Sequence, residues 1–159
     1  MRNFRDMSKK LDSTDFKILS LLSKDAQMAY TEVAKLADVS SGTVHLRVKK
    51  LKDLGIIKGT TLSMDYAKMG WKLTMFIGIF LKKSAQYEDV IQILSEVPEV
   101  VKIHHITGKY GVFIKIHAKD ALHFREVYQN RILTIKGIKR TESSMSLEEC
   151  LNRHILFEE

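Results

Sequence analysis

Apolar residues recur at helical spacing through the first fifty positions, and beyond residue 70 they alternate between strand and helix periods. Leu11, Ile18, Leu19 and Leu22 share one helical face, on which Asp15 is the single polar member. Asp12 or Ser13 can cap the start of that helix, and Asp15 places negative charge in its first turn. Residues 24–27 break the pattern. A short second helix is predicted over residues 31–37, capped by Thr31 or by the turn at Tyr30, and Asp38-Val39-Ser40 forms a tight connection. Ser40 can cap a third helix over residues 41–54, which Gly55 ends in the left-handed conformation. On that third helix Val44, Val48 and Leu51 fall within about 80°, at ~100° per residue, and form the buried stripe. The opposite face carries Gly42, Thr43, His45, Leu46, Lys49 and Lys50. Ile56-Ile57 followed by Lys58-Gly59 predicts a β-wing over residues 56–61, and the broken apolar period at 65–71 predicts a hinge.

The remainder predicts a strand at 72–83, with Met75, Ile77, Ile79 and Leu81 on one face and Phe76, Gly78 and Phe80 on the other. An amphipathic helix at 86–97 follows, with Val90, Ile93, Leu94 and Val97 as its stripe. Strands at 100–107 and 112–118 flank a loop bracketed by Gly108 and Gly111. A helix capped by Asp120 runs to 133, and a last strand occupies 138–147. The expected class is therefore α+β: an N-terminal winged helix-turn-helix followed by a ferredoxin-like β-α-β-β-α-β domain. The expected division is 1–61 for the winged helix-turn-helix, 62–71 for the linker and 72–159 for the second domain.

In the ferredoxin-like arrangement helices cover one sheet face and leave the other open. Phe76 and Phe80 on the open face predict either dimerisation through the sheets or a cover supplied by Leu151, Ile155 and Leu156 of the same chain.

Charge adds a partner to this picture. The chain carries 26 Lys and Arg against 19 Asp and Glu, a net charge of +7. Residues 1–61 hold 12 of those cations and 7 of the acids, so most of the excess lies in the helix-turn-helix. A polar, basic second helix after a short turn points to double-stranded DNA, with the N-terminal part of that helix in the major groove. Ser41, Thr43 and His45 can bond base edges, Leu46 can meet a thymine methyl and Gly42 permits close approach. Arg47, Lys49, Lys50 and Lys58 suit phosphates. Two readings stay open for several of these. Leu46 could cover a neighbouring loop, His45 could be merely solvated, and Arg47, near the core edge, could form a structural ion pair.

Other chemistry finds no support in the sequence. The single cysteine, Cys150, excludes a disulfide framework and a thiolate zinc site. His104 and His105 point to opposite strand faces, and neither they nor His117 and His123 form a metal-ligand pattern. No phosphate-cradling glycine motif or nucleophile elbow occurs, so no catalytic residue, cofactor or metal is expected and the chain is not read as an enzyme. The longest apolar run, residues 75–81, is far short of the ~20 residues of a membrane span, and residues 1–10 lack a signal-peptide pattern. Both fit a cytoplasmic protein with no membrane partner.

The spacing Leu11-Asp12-x-x-Asp15-x-x-Ile18-Leu19, then Val33-Ala34-x-x-Ala37-x-Val39-Ser40, then Thr43-Val44-x-x-Arg47-Val48-x-x-Leu51-x-x-x-Gly55-x-Ile57 resembles the Lrp/AsnC (feast/famine) family of transcription regulators. The likeness runs collinearly to Leu147-Glu148-Glu149. It implies a regulator that binds promoter DNA, a C-terminal domain that senses a small molecule, commonly an amino acid, dimers through the sheets, and often octamers of four dimers. It places the effector against the loop Thr107-Gly108-Lys109-Tyr110-Gly111 and the facing stretch Ser144-Met145-Ser146. Where the family commonly has an acidic residue this chain has Gly111, so the pocket either takes a different ligand or is vestigial, with Gly111 serving turn geometry. The alternatives to a ligand-modulated regulator are an architectural DNA-binding protein without an effector and a regulatory subunit of a metabolic enzyme.

Overall fold

The computed structural model describes residues 11–82 and 87–157. The chain divides into two compact units, Met1–Ser63 with Leu151–Glu159, and Met64–Cys150.

The first unit is built on three helices, α1 (Ser13–Lys24), α2 (Tyr30–Ala37) and α3 (Ser41–Asp53). Asp12 caps α1 in a reciprocal box with Asp15. The second helix starts one residue earlier than its sequence suggests and has Ala29 at its cap, with no side-chain bond there. Asp38 takes the left-handed conformation at φ 56° and turns the chain into α3, which Ser40 caps by accepting the Thr43 amide. Ile18, Val33, Ala34, Ala37, Val44 and Val48 form the core. The expected wing is not a strand: residues 54–63 are turn and irregular chain. The Ile56 and Ile57 amides donate to the Leu51 carbonyl, and Ile57 packs on the three-helix core. With those amides turned back to α3, the segment offers no ladder to a partner strand.

Residues 151–157 group with this unit. The Phe157 ring lies 5.6 Å from that of Phe16 on α1. Leu151, Ile155 and Leu156 are exposed.

The second unit is a four-stranded antiparallel sheet of β1 (Leu73–Leu81), β2 (Val100–His105), β3 (Val112–Ala118) and β4 (Ile138–Ser146), in the order β2-β3-β1-β4. Helices α4 (Tyr87–Ser95) and α5 (Ala121–Val127) complete the β-α-β-β-α-β order. The expected ends of the first strand and first helix, Lys83 and Gln86, lie outside the described residues. Met75, Ile77 and Ile79 of β1 and Val112, Ile114 and Ile116 of β3 are buried with Val90 and Leu94 of α4.

Beyond α5 the expected single helix widens into a π-helical turn, Tyr128–Ile132. Its i→i+5 bond, from the Leu133 amide to the Tyr128 carbonyl, brings residues five apart onto one face, so that Val127 and Ile132 both enter the core. The expected hinge is a turn at residues 66–70, attached to this unit by Tyr66 stacking on His117.

Candidate DNA interface and effector loop

Burial of Val44, Val48 and Leu51 sets the orientation of α3 within its unit. Its outward side then presents Gly42, His45, Leu46 and Lys49 to solvent, with Ser41 and Thr43 half-exposed at the N-terminal end. Leu46 is 72% exposed and covers no loop of its own unit. His45 is solvated but steadied by an edge-on contact with the Tyr30 ring, centroids 4.6 Å apart. The Thr43 hydroxyl shares a 2.9 Å hydrogen bond with Ser40, which orients it at the helix start. Lys58 is exposed in the irregular segment after α3.

Arg47 and Lys50 behave differently. The Arg47 guanidinium donates to Asp12 Oδ1 at 2.6 Å and Asp15 Oδ1 at 2.9 Å, and Lys50 Nζ donates to Asp15 Oδ2 at 2.8 Å. Arg47 thus takes the structural ion pair that its position near the core edge left open. Asp15 is 0% exposed. Burial alone would raise its pKa, but the hydrogen bonds from Lys50 and Arg47 outweigh that and hold it below the ordinary carboxylate value. The Arg47 bond likewise lowers Asp12, and the two acids raise Arg47. The partners were not identified in the sequence, although the signal was present: Asp15 is the one polar residue on an otherwise apolar stripe.

In the second unit the loop at residues 107–111 folds back on the open sheet face. Gly108 takes φ 103°, a conformation that favours glycine. Gly111 does not need positive φ; its amide donates to the Ile79 carbonyl, and a Cβ there would meet Leu81 Cδ1 at 3.3 Å. Close approach to Leu81, rather than turn geometry, suits glycine at this position. Tyr110 lies flat over Gly78, where a Cβ would come within 2.6 Å of the ring. Its hydroxyl donates to Glu142 Oε2 at 2.7 Å, and Lys109 Nζ donates to the same oxygen at 2.6 Å. Arg140 donates to Glu142 Oε1 at 2.7 Å while its guanidinium sits 3.6 Å from the centre of the Phe80 ring. The bonds from Lys109, Tyr110 and Arg140 hold the Glu142 pKa down to about 2.

Glu142 and Arg140 escaped the sequence reading because only strand pairing shows where they lie. They stand opposite Gly78 and Phe80 in the β1–β4 register. Ser144 and Ser146 follow Glu142 on the same face by strand alternation, opposite Phe76 and Thr74, while Met145 points to the other face at the sheet edge and is exposed. The structure therefore brings Lys109 and Tyr110 together with β4, and it separates Met145 from its two neighbours. Thr107 is exposed at the start of the loop. Three of the four histidines of this unit are engaged elsewhere: His117 bonds Thr74 Oγ1 at 3.1 Å, His105 lies against Tyr87, and His123 Nε2 is 3.4 Å from Glu99, while His104 is exposed. Among the described residues no helix is long and apolar enough to cross a membrane.

Comparison with known proteins accounts for both units. The family model for a winged helix-turn-helix DNA-binding domain matches residues 11–58, and that for the Lrp/AsnC ligand binding domain matches residues 74–156. The regulatory protein AsnC of Haemophilus influenzae is 41% identical over 145 residues, covering 91% of this chain and 97% of that protein. The AsnC of Escherichia coli is 36% identical, covering 91% and 95%. A solved structure of E. coli AsnC superposes with a TM-score of 0.86 at 35% identity, covering 91% of this chain and 97% of the other. A transcriptional regulator of Neisseria meningitidis, solved as an L-Met complex, shares the fold with a TM-score of 0.86 at 24% identity, covering 90% and 94%. The chain belongs to the Lrp/AsnC family of transcription regulators, DNA-binding proteins rather than enzymes, with a helix-turn-helix unit and a ligand-binding unit.

Proposed function

We propose that the protein is a sequence-specific regulator whose α3 lies in the major groove, with Ser41, Thr43, His45 and Leu46 meeting base edges. Gly42 allows the approach, and Lys49 and Lys58 reach phosphates. The observation that carries this reading is the solvent-facing polar half of α3, mounted on a fully buried Val44 and Leu51. Arg47 and Lys50, expected as phosphate contacts, are bound to the acids of α1 and serve the geometry of the helix.

In the same reading, residues 1–61 bind DNA, 62–71 link, and the unit ending at Cys150 senses a small molecule at Thr107–Gly111, beside Ser144 and Ser146. An amino acid fits the family and the L-Met complex of the Neisseria regulator. Lys109 and Glu142 supply one charge of each sign for a zwitterion. The half-exposed Phe76, Phe80 and Phe113 on the open face favour homodimers through the sheets, and larger assemblies of those dimers. The protein is cytoplasmic in this account.

Binding measured by fluorescence anisotropy tests the central claim. DNA from the chain's own promoter region should bind at least ~10³-fold more tightly than scrambled DNA at one fixed salt concentration. A ratio near one would replace the reading with an architectural one. Phe80→Asp should break the dimer and lower the mass of the assembly in sedimentation, because a charge in an apolar interface is costly. An unchanged mass would move the interface elsewhere.

A further inference from the structure

Helix α3 carries four cations, Arg47, Lys49, Lys50 and Lys52, and they fall on two flanks of the buried stripe. At ~100° per residue Arg47 and Lys50 lie to one side of Val44, and Lys49 and Lys52 to the other. The first flank faces the start of α1. There Asp12 and Asp15 are fixed by backbone before any side-chain cation arrives: the Asp15 amide donates to Asp12 Oδ1 at 2.9 Å, and the Asp12 amide to Asp15 Oδ2 at 3.3 Å. Carboxylates held by their own capping box cannot follow Arg47 or Lys50 toward a phosphate. A cation leaving them would abandon short, charge-assisted bonds and strand a buried negative charge on Asp15.

We propose that Asp12 and Asp15 form a charge clamp that withholds Arg47 and Lys50 from the DNA backbone and sets the roll of α3, making Asp15 a positioning residue for sequence discrimination. The proposal rests on the reading of α3 as the DNA-contacting helix. Its consequence is a recognition helix with fewer phosphate contacts than its charge suggests. Phosphate contacts add affinity on every sequence and base contacts add it on the right one. A helix that keeps half its cations out of the backbone therefore gains discrimination at the expense of non-specific binding.

The test is the slope of log affinity against log salt concentration, measured with the full chain on promoter and scrambled DNA. Each phosphate contact contributes a slope of about 0.9. Arg47→Gln should leave the slope unchanged. Asp15→Asn should release Lys50 and loosen Arg47, which keeps Asp12; it should steepen the slope by about one and lower the promoter-to-scrambled ratio. Should Asp15→Asn not fold, Asp12→Asn decides, because Asn caps a helix as well as Asp while giving up one of the two charges that hold Arg47; its slope should steepen by less than about one. A slope that falls by about 0.9 in Arg47→Gln, or one that stays the same in every folded carboxylate variant, overturns the clamp. Wild-type protein that binds DNA without salt dependence would instead remove the DNA reading on which the clamp rests.

Discussion

Two carboxylates organise this molecule, and they differ chiefly in their access to water. Asp15 is 0% exposed and collects Arg47 and Lys50, whereas Glu142 is 34% exposed and collects Lys109, Tyr110 and Arg140. The hydrogen-bonding chemistry is the same, yet the consequences diverge. A sealed carboxylate that loses its cations has no water to replace them, so the first cluster is static and holds α3 in place. An open carboxylate exchanges one cation for another or for water at little cost, so the second cluster can rearrange. The first unit keeps its carboxylate cluster away from water, and the second leaves its cluster open to it.

The sharpest way to break this contrast is Asp15→Ala, which leaves Arg47 and Lys50 without their buried partner. Removing one side of a buried ion pair typically costs 3–5 kcal/mol, and a loss of about 3 kcal/mol is expected here because both cations keep some solvent access. Urea unfolding measures it; a loss below about 1 kcal/mol would place Asp15 with exposed pairs.

A smaller loss is expected from Gly78→Ala. The added methyl meets the Tyr110 ring at 2.6 Å, so the ring must lift and its bond to Glu142 must stretch. Overpacking of this kind costs about 1–3 kcal/mol. Because the loop carries the strain, amide exchange should accelerate at residues 107–111 and remain slow in β3. Uniform acceleration across the sheet would show that Tyr110 supports the whole unit rather than the loop.

Acid gives the mildest separation. Asp12, Asp15 and Glu142 all have pKa values lowered in the folded state, so each contributes stability that is present above the ordinary carboxylate value and lost as pH falls through the folded one. For Glu142 that window runs from its ordinary value, 4.5, down to about 2. Raising salt to ~1 M, where the screening length is ~3 Å, should erase the Glu142 contribution and spare much of that from Asp15. Carboxylate titrations followed by NMR at low and high salt resolve the two; equal salt sensitivity would contradict the difference in solvent access.

Much of this was legible from local pattern. The stripe of Val44, Val48 and Leu51 predicts which side of α3 is buried, because a helix repeats every 3.6 residues whatever its neighbours. The alternation of Met75, Ile77 and Ile79 similarly predicts the covered face of β1. Capping by Ser40 and Asp120 followed from residue type alone, since each bond closes within three positions, whereas the first cap was narrowed to Asp12 or Ser13 and the structure uses Asp12. The wing failed as a strand because the backbone of residues 56 and 57 found Leu51 before it found a ladder.

The order of elements, the faces they bury and the basic character of α3 were thus determined by the sequence itself, through interactions that span one or two turns. Which cations of α3 are paired, and which carboxylate meets the loop at residues 107–111, were decided only by tertiary structure. Arg47 meets Asp12 and Asp15 from 35 and 32 positions away, and Lys109 meets Glu142 across 33. Partners so distant in sequence are chosen by helix packing and strand register, neither of which has a local period to reveal it.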